Sequence, residues 1–281
     1  MSDSPTPATP ATPTAPATPA APSAPAAEPP GHGLLAGKVA VVTAAAGTGI
    51  GQATARRFLA EGATVVVSDA HERRLGEAAR ALAALDDGPL PLAVPCDVTD
   101  EDQVQRLFGA ALDRHGRIDV VVNNAGLGGT APLVEMTDEQ WFAVLDVTLT
   151  GTFRCTRAAL RILGAQRSGV IINNASVLGW RAQHGQAHYA AAKAGVMALT
   201  RCAAIEAAPL GVRVNAVAPS LATHPFLAKV TSEELLDELA SREAFGRPAE
   251  VWEVATVIAF LASDYSTYMT GEVVSVSSQH P

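Results

Sequence analysis

Residues 38–51 read Lys-Val-Ala-Val-Val-Thr-Ala-Ala-Ala-Gly-Thr-Gly-Ile-Gly. An apolar run over 38–43 gives way to Gly47, Gly49 and Gly51. A helical pattern over 50–61 follows, in which Ala53, Phe58 and Leu59 recur on one side. A strand that turns through glycines into a helix is the setting of a phosphate-binding loop. Without Cβ atoms the backbone turns tightly and approaches a pyrophosphate, while the helix N-terminus supplies N–H groups and the positive end of its dipole. The same spacing also suits an ordinary flexible turn, so the rest of the chain has to decide.

Short apolar runs recur at 65–68, 90–95, 120–122, 170–173, 213–218 and 273–276. Helical patterns over 72–85, 101–115, 137–163, 187–207 and 250–261 separate them. Continuous rather than alternating apolar runs suit parallel strands covered on both faces. The expectation is an α/β fold, a single Rossmann-type doubly wound parallel sheet of about seven strands with helices on both faces. Ligands of such sheets bind beyond the carboxyl ends of the strands, where strand order reverses. Residues 221–246 interrupt the alternation with a loop and an acidic helix and form a candidate substrate lid. Residues 1–33 repeat Pro, Ala and Thr and lack periodicity, which predicts a disordered tail ahead of a catalytic domain over 34–281.

A net charge of -8 offers no basic surface for a nucleic acid or an anionic membrane, so small molecules are the expected partners. No stretch is apolar enough to cross a bilayer, and Asp3 and Glu28 break up the start of the chain as a secretion signal. Cys96, Cys155 and Cys202 lie far apart without CxxC spacing. They read as small buried hydrophobes in a reducing cytoplasm rather than as zinc ligands or disulfides. His184 and His188 have i, i+4 spacing but no third ligand, so no metal is expected.

Asp69 ends the second apolar run, where its carboxylate can accept hydrogen bonds from an adenosine ribose and would repel a 2'-phosphate. That favours NAD over NADP, with Arg73 and Arg74 read as a solvated helix face. Asp97-Val98 and Asn123-Asn124-Ala125-Gly126 follow the third and fourth strands, near the adenine and beneath the dinucleotide. Buried, loop-capping asparagines are the alternative reading of the second motif.

Tyr189 and Lys193 share a helix face among small residues that leave room for a ligand. A free phenol is too weakly acidic to act at neutral pH, and a neighbouring ammonium together with an oxidised nicotinamide would lower its pKa. Ser176 ends the fifth strand, where its hydroxyl can hold a substrate oxygen.

With these motifs in this order, the chain resembles the short-chain dehydrogenases/reductases from Gly37 to about Val276. The resemblance implies hydride transfer between nicotinamide C4 and a carbinol or carbonyl carbon, with Ser176, Tyr189 and Lys193 as the catalytic set. It implies that NAD, or alternatively NADP, is held by Thr43, Gly47, Thr48, Gly49, Ile50, Gly51, Asp69, Asp97, Val98, Asn124, Ala125, Gly126, Tyr189, Lys193, Pro219 and Thr223. Met269-Thr270-Gly271 fits the same pattern. Thr148 stands where the family usually places a relay asparagine, Ser220 where Gly is usual, and His224 where a Thr commonly contacts the carboxamide. A homotetramer or homodimer built on the helices over 137–163 and 187–207 is also implied.

The general resemblance is to 3-oxoacyl reductases and hydroxyacyl dehydrogenases. The finer one is to actinobacterial enzymes that oxidise a ring hydroxyl on CoA thioesters during steroid C/D-ring breakdown. It is carried by the lengthened glycine loop, residues 71–75, Thr148 and residues 179–184. Trp180, His184, Phe226 and Leu227 are candidates for a substrate pocket, with Arg181 or Lys229 near an anionic carrier. The competing readings are an NADPH-dependent 3-oxoacyl-carrier-protein reductase and a non-catalytic dinucleotide sensor.

Overall fold

The computed structural model describes residues 24–85, 90–223 and 233–279. Strands β1 (Val39–Val42), β2 (Thr64–Asp69), β3 (Leu92–Pro95), β4 (Val120–Asn123), β5 (Gly169–Asn174), β6 (Val212–Pro219) and β7 (Val273–Val276) pair in parallel. Their order is β3-β2-β1-β4-β5-β6-β7, so the direction of winding reverses between β1 and β4. Side chains alternate across each strand. Ala40, Val42, Val65, Val67, Val120, Val122 and Ile172 enter one apolar layer, while Val41, Val66, Val121 and Ile171 enter the other. Both layers are helix-covered, which is why these strands read as continuous apolar runs.

The first layer is closed by α1 (Ile50–Ala60) and α2 (Glu72–Ala83), together with the helix over Val251–Ala262. The second is closed by α3 (Glu101–His115), α5 (Gly151–Gln166) and α6 (Ala187–Ala207). Ahead of α5, helix α4 (Asp138–Leu145) starts at a capping box made by Thr137 and Gln140. The single helix expected over 137–163 is instead α4, a π-helical turn over Asp146–Thr150 and then α5. A π turn adds a residue to the ladder and changes where the side chains of that turn point; the one buried residue of this turn is Thr148.

The acidic helix expected within 221–246 is α7 (Glu233–Ser241), and Val251–Ala262 becomes α8. A short parallel pair, Ala222–Thr223 with Ala249–Glu250, joins the two ends of this segment. Residues 224–232, including His224, Phe226, Leu227 and Lys229, lie outside the described residues, as do tail residues 1–23.

Ahead of β1, fixed contacts begin at Glu28. Its carboxylate accepts from Arg56 at 2.5 Å. Arg57 of α1 donates to the carbonyls of Pro29 and Pro30 and pairs with Glu61. Glu61 accepts the amides of His32 and Leu34 at 2.8 and 3.0 Å. Burial would raise the Glu61 carboxyl, but those amides and the Arg57 guanidinium hold it below its ordinary value. At Gly31 a Cβ would lie 1.9 Å from the Ala60 carbonyl oxygen, so only glycine fits against the helix end. Composition concealed this docking, because one buried ion pair makes it and no apolar periodicity accompanies it.

Arg57 and Glu61 are 3% and 0% exposed. Removing one partner strands a buried charge, so Arg57→Ala should cost about 3 kcal/mol of stability and release residues 28–34 to proteolysis. Urea denaturation and limited proteolysis check both outcomes; an unchanged midpoint with intact protection would refute the pinning role.

Candidate active site

The glycine loop leaves β1 through Ala44, whose φ of 51° lies in the left-handed region. That geometry costs a non-glycine residue roughly 1–2 kcal/mol, and a set of cross-links holds it. Asn124, just after β4, donates its Nδ2 to the carbonyls of Thr43 and Ala44 at 3.2 and 3.1 Å. Thr43 accepts the amides of Asn124 and Ala125 on its hydroxyl at 3.0 and 3.1 Å. Thr43, expected among the cofactor contacts, is 1% exposed and spends its hydroxyl inside the protein. A Cβ at Gly51 would sit 2.3 Å from the Ala44 carbonyl oxygen and 2.5 Å from Asn124 Nδ2, so the third glycine allows α1 to close on the loop. Gly47 meets no such obstacle and, like Thr48, is exposed.

Gly49 caps α1 without a side-chain hydrogen bond, so no side chain of the cap competes for the first amides of the helix. Those amides suit an anionic group. Asp69, at the carboxyl end of β2, accepts the amide of Ala46 at 3.2 Å and that of His71 at 2.9 Å. Burial raises its carboxyl above the ordinary value, against the Ala46 amide and the charge of Arg74. Arg73 pairs with Glu77 on the exposed face, as expected for a solvated helix. Asp97 accepts the amide and hydroxyl of Thr99 on one oxygen, and Val98 packs against Gly151, where a Cβ would lie 2.5 Å from it. Pro219 is buried at the end of β6, and Thr223 is exposed beyond it.

Ser176 follows β5 and caps a single 3-10 turn over Val177–Gly179, its Oγ accepting the Leu178 amide at 3.2 Å. That turn presses onto α6. A Cβ at Gly179 would lie 2.6 Å from Met197 Cε and 3.1 Å from the Ala194 amide nitrogen. The contact places Ser176 near enough to Tyr189 for its hydroxyl to act on the phenol. Lys193 lies one turn further along α6, with Nζ 5.5 Å from the Tyr189 ring centre and 2.5 Å from the Asn174 carbonyl oxygen. Gly126 sits between Lys193 and Thr148: a Cβ there would be 3.6 Å from Lys193 Nζ and 3.8 Å from Thr148 Oγ1. Sequence spacing thus located the three catalytic candidates, and the fold brings them together at the carboxyl ends of β4 and β5.

Residues 44–278 match the family profile described as Enoyl-(Acyl carrier protein) reductase. The chain belongs to the short-chain dehydrogenase/reductase family. It is 68% identical, over 90% of its length and 97% of the relative's, to the Mycobacterium tuberculosis protein named (5R,7aS)-5-hydroxy-7a-methyl-1-oxo-2,3,5,6,7,7a-hexahydro-1H-indene-carboxyl-CoA reductase. A 3-oxoacyl-(acyl-carrier-protein) reductase from Thermotoga maritima is 41% identical over 86% of this chain and 97% of that protein. Among solved structures, a short-chain dehydrogenase from Mycobacterium smegmatis superposes with a TM-score of 0.82 at 61% identity, covering 92% of this chain and 99% of that one. The protein is therefore an oxidoreductase of this family, which works with a nicotinamide dinucleotide. The exposed glycine turn, the uncapped start of α1 and the neighbouring Asp69 form a cradle that fits that cofactor.

Several residues of the family motifs brace rather than react. Asn123 donates to Thr156 and Asn173 at 3.0 and 2.9 Å, and Asn173 donates to Thr200 at 2.9 Å, a buried polar ladder that fastens α5 and α6 to the sheet. Thr270 accepts the Val214 amide at 3.1 Å and Met269 accepts from Asn215 at 2.8 Å, securing β6. Sequence reasoning missed Asn174, although two asparagines closing an apolar strand were a visible signal. It also passed over the role of His188, which is 2% exposed and accepts the Tyr189 backbone amide on Nδ1 at 2.8 Å. Gln186 clasps the carbonyl of Gly129 and the hydroxyl of Thr130 at 2.8 and 2.9 Å, tying the loop after β4 to the start of α6.

One further expectation changes, that of a buried Cys202. Cys202 is exposed, whereas Cys96 and Cys155 are buried as predicted. Arg181, a candidate with Lys229 for an anionic carrier, donates to Gln279 near the C-terminus. The phenol of Tyr189 is raised by burial, and the Ser176 hydrogen bond opposes this only in part; without the cofactor's charge, desolvation dominates.

Burial alone lowers Lys193 to about 8. The folded value lies below that of the unfolded chain, so between about pH 8 and the ordinary lysine value the unfolded chain holds more protons, and stability rises with pH there. Lys193→Met should stabilise the cofactor-free protein near pH 7.5 by on the order of 2 kcal/mol and flatten that rise. Urea midpoints at pH 7.5 and 9.5 read both effects; a destabilised variant would contradict them.

Proposed function

We propose that the protein interconverts a ring secondary alcohol and its ketone on a CoA thioester bearing a fused bicyclic skeleton, with NAD(H), in the cytoplasm. The observation that carries the reaction is the convergence of Ser176, Tyr189 and Lys193 beside the glycine loop. The substrate class draws on the M. tuberculosis relative, which matches nearly the full length of the described chain. Exposed Trp180 and Leu127 supply apolar surface for a ring system. A cavity of about 310 Å³ is lined by Ala131, Leu133, Gln183, His184 and Ala190.

When bound, the cofactor supplies the hydride acceptor or donor at nicotinamide C4. Ser176 holds the substrate oxygen through its hydroxyl. Tyr189 takes the hydroxyl proton during oxidation and returns it during reduction. The Lys193 ammonium favours the phenolate, opposing the effect of burial. Asp69 takes ribose hydroxyls and repels a 2'-phosphate, which supports NAD as the preferred dinucleotide.

Turnover of fused-ring and straight-chain hydroxyacyl-CoA substrates with NAD and NADP tests this reading. Expected are preferences for NAD and for the fused-ring thioester of about tenfold or more, a roughly thousandfold loss of kcat in Tyr189→Phe, and relaxed dinucleotide choice in Asp69→Ala. Better use of NADPH with straight-chain thioesters would establish the carrier-protein reductase reading instead. Dinucleotide binding with no turnover at all would establish the sensor.

We also propose a homotetramer. Phe142 of α4, Phe153 of α5 and Ile205 of α6 are 63%, 40% and 77% exposed, more large apolar surface than these helices need as a solvated face. Sedimentation should give four times the 28.9 kDa chain mass; a dimer or a monomer would overturn the tetramer.

A further inference from the structure

Strands β5, β6 and β7 lie side by side, and the segments that leave their carboxyl ends belong to the edge of the sheet where ligands of this fold bind. Ser176 and its 3-10 turn follow β5, the segment that carries α7 follows β6, and residues 277–279 follow β7. The Ser220 amide donates to the Val276 carbonyl at 3.1 Å, so the second and third of these segments start out tied together.

All three meet again at Glu243, two residues beyond α7 and only 4% exposed. Its amide donates to the Ala240 carbonyl of α7 at 3.0 Å. One of its carboxylate oxygens accepts the Ser278 hydroxyl at 2.7 Å, and the other accepts Gln279 Nε2 at 2.8 Å. Gln279 Oε1 in turn accepts from the Arg181 guanidinium. The amides of Trp180 and Arg181 both donate to the Val177 carbonyl at 3.0 Å, inside the turn that Ser176 caps.

The neighbours of the Gln279 amide fix its orientation. A guanidinium only donates and a carboxylate only accepts, so Oε1 must face Arg181 and Nε2 must face Glu243. Each bond has a charged partner, which places it in the stronger class of hydrogen bond. The amide therefore stands between a cation beyond the Ser176 turn and a buried anion at the end of α7. Its removal would deprive a nearly inaccessible carboxylate of a donor, the costly way to lose a hydrogen bond.

We propose that Gln279 is a positioning residue for substrate: by coupling Arg181 to Glu243 it holds residues 177–181, with Trp180, in the conformation that receives the substrate ring. This rests on the reading of Trp180 as apolar surface for a fused-ring thioester. Gln279 acts through Arg181 and touches no reacting atom.

Three variants test the coupling. Gln279→Leu keeps the bulk and removes both bonds, and Gln279→Glu sets a second carboxylate against Glu243. The double variant Glu243→Gln, Gln279→Glu exchanges the two groups. The carboxylate at position 279 then accepts from Arg181 and from the amide at position 243, whose oxygen still accepts from Ser278, so the bonds and the net charge are kept. With a fused-ring hydroxyacyl-CoA, each single variant should raise KM about tenfold while kcat stays within about threefold and NADH affinity, read by fluorescence, within about twofold. Amide hydrogen exchange over residues 177–186, followed by mass spectrometry, should quicken about tenfold in the single variants. The double variant should restore both readings. An unchanged KM, with or without faster exchange, an NADH affinity loss as large as the KM rise, or a folded double variant without recovery would overturn the proposal. If neither single variant folds, Gln279→Asn, which shortens the amide, carries the same comparison. A parent protein that prefers straight-chain thioesters would sink the substrate reading and leave the exchange rates to decide the coupling, which separates the two failures.

Discussion

The carboxyl ends of β1, β4 and β5 are tied together by one side-chain amide, that of Asn124. Its two donated bonds hold the strained Ala44 turn, and its oxygen takes the amide of Asn174. Gly51 lies so close to the same amide that no Cβ could stand between them, so the start of α1 is set by the same contact. The dinucleotide end and the catalytic end of the cleft are therefore one hydrogen-bonded unit. The bonds of this unit are partly buried, which strengthens them relative to the same bonds in water.

Charge in this unit is sparse. Lys193 is 3% exposed and has no carboxylate partner in any described ion pair; its bonded neighbour is a carbonyl oxygen. An ammonium held this way is costly in the empty protein and useful once a phenolate must form beside it, a division between stability and activity that is common at catalytic sites. The carboxylates lie elsewhere, with Asp69 at the far end of the glycine loop and Glu61 pinning the chain that leads into β1. Each acts where its negative charge meets backbone amides rather than the reacting centre.

Trp180, Leu127 and Leu133 leave apolar surface exposed, and the cavity that Leu133 helps to line also presents Gln183 and His184. Recognition of a fused hydrocarbon ring would draw on such apolar surface, because buried area supplies most of it and hydrogen bonds little.

The sequence by itself determined the sheet, its two covered faces, the glycine turn and the placing of Tyr189 and Lys193 on one helix. Burial on both faces makes strands apolar throughout, and a helix brings residues four apart onto one face, so both leave local patterns. Only the tertiary structure decided which polar atoms meet. The docking of residues 28–34 on Arg57 and Glu61, the π turn that buries Thr148 and the bonds of Asn174 each join segments distant along the chain. Hydrogen bonds between such segments depend on ångström-scale placement of single atoms, which composition and periodicity do not record.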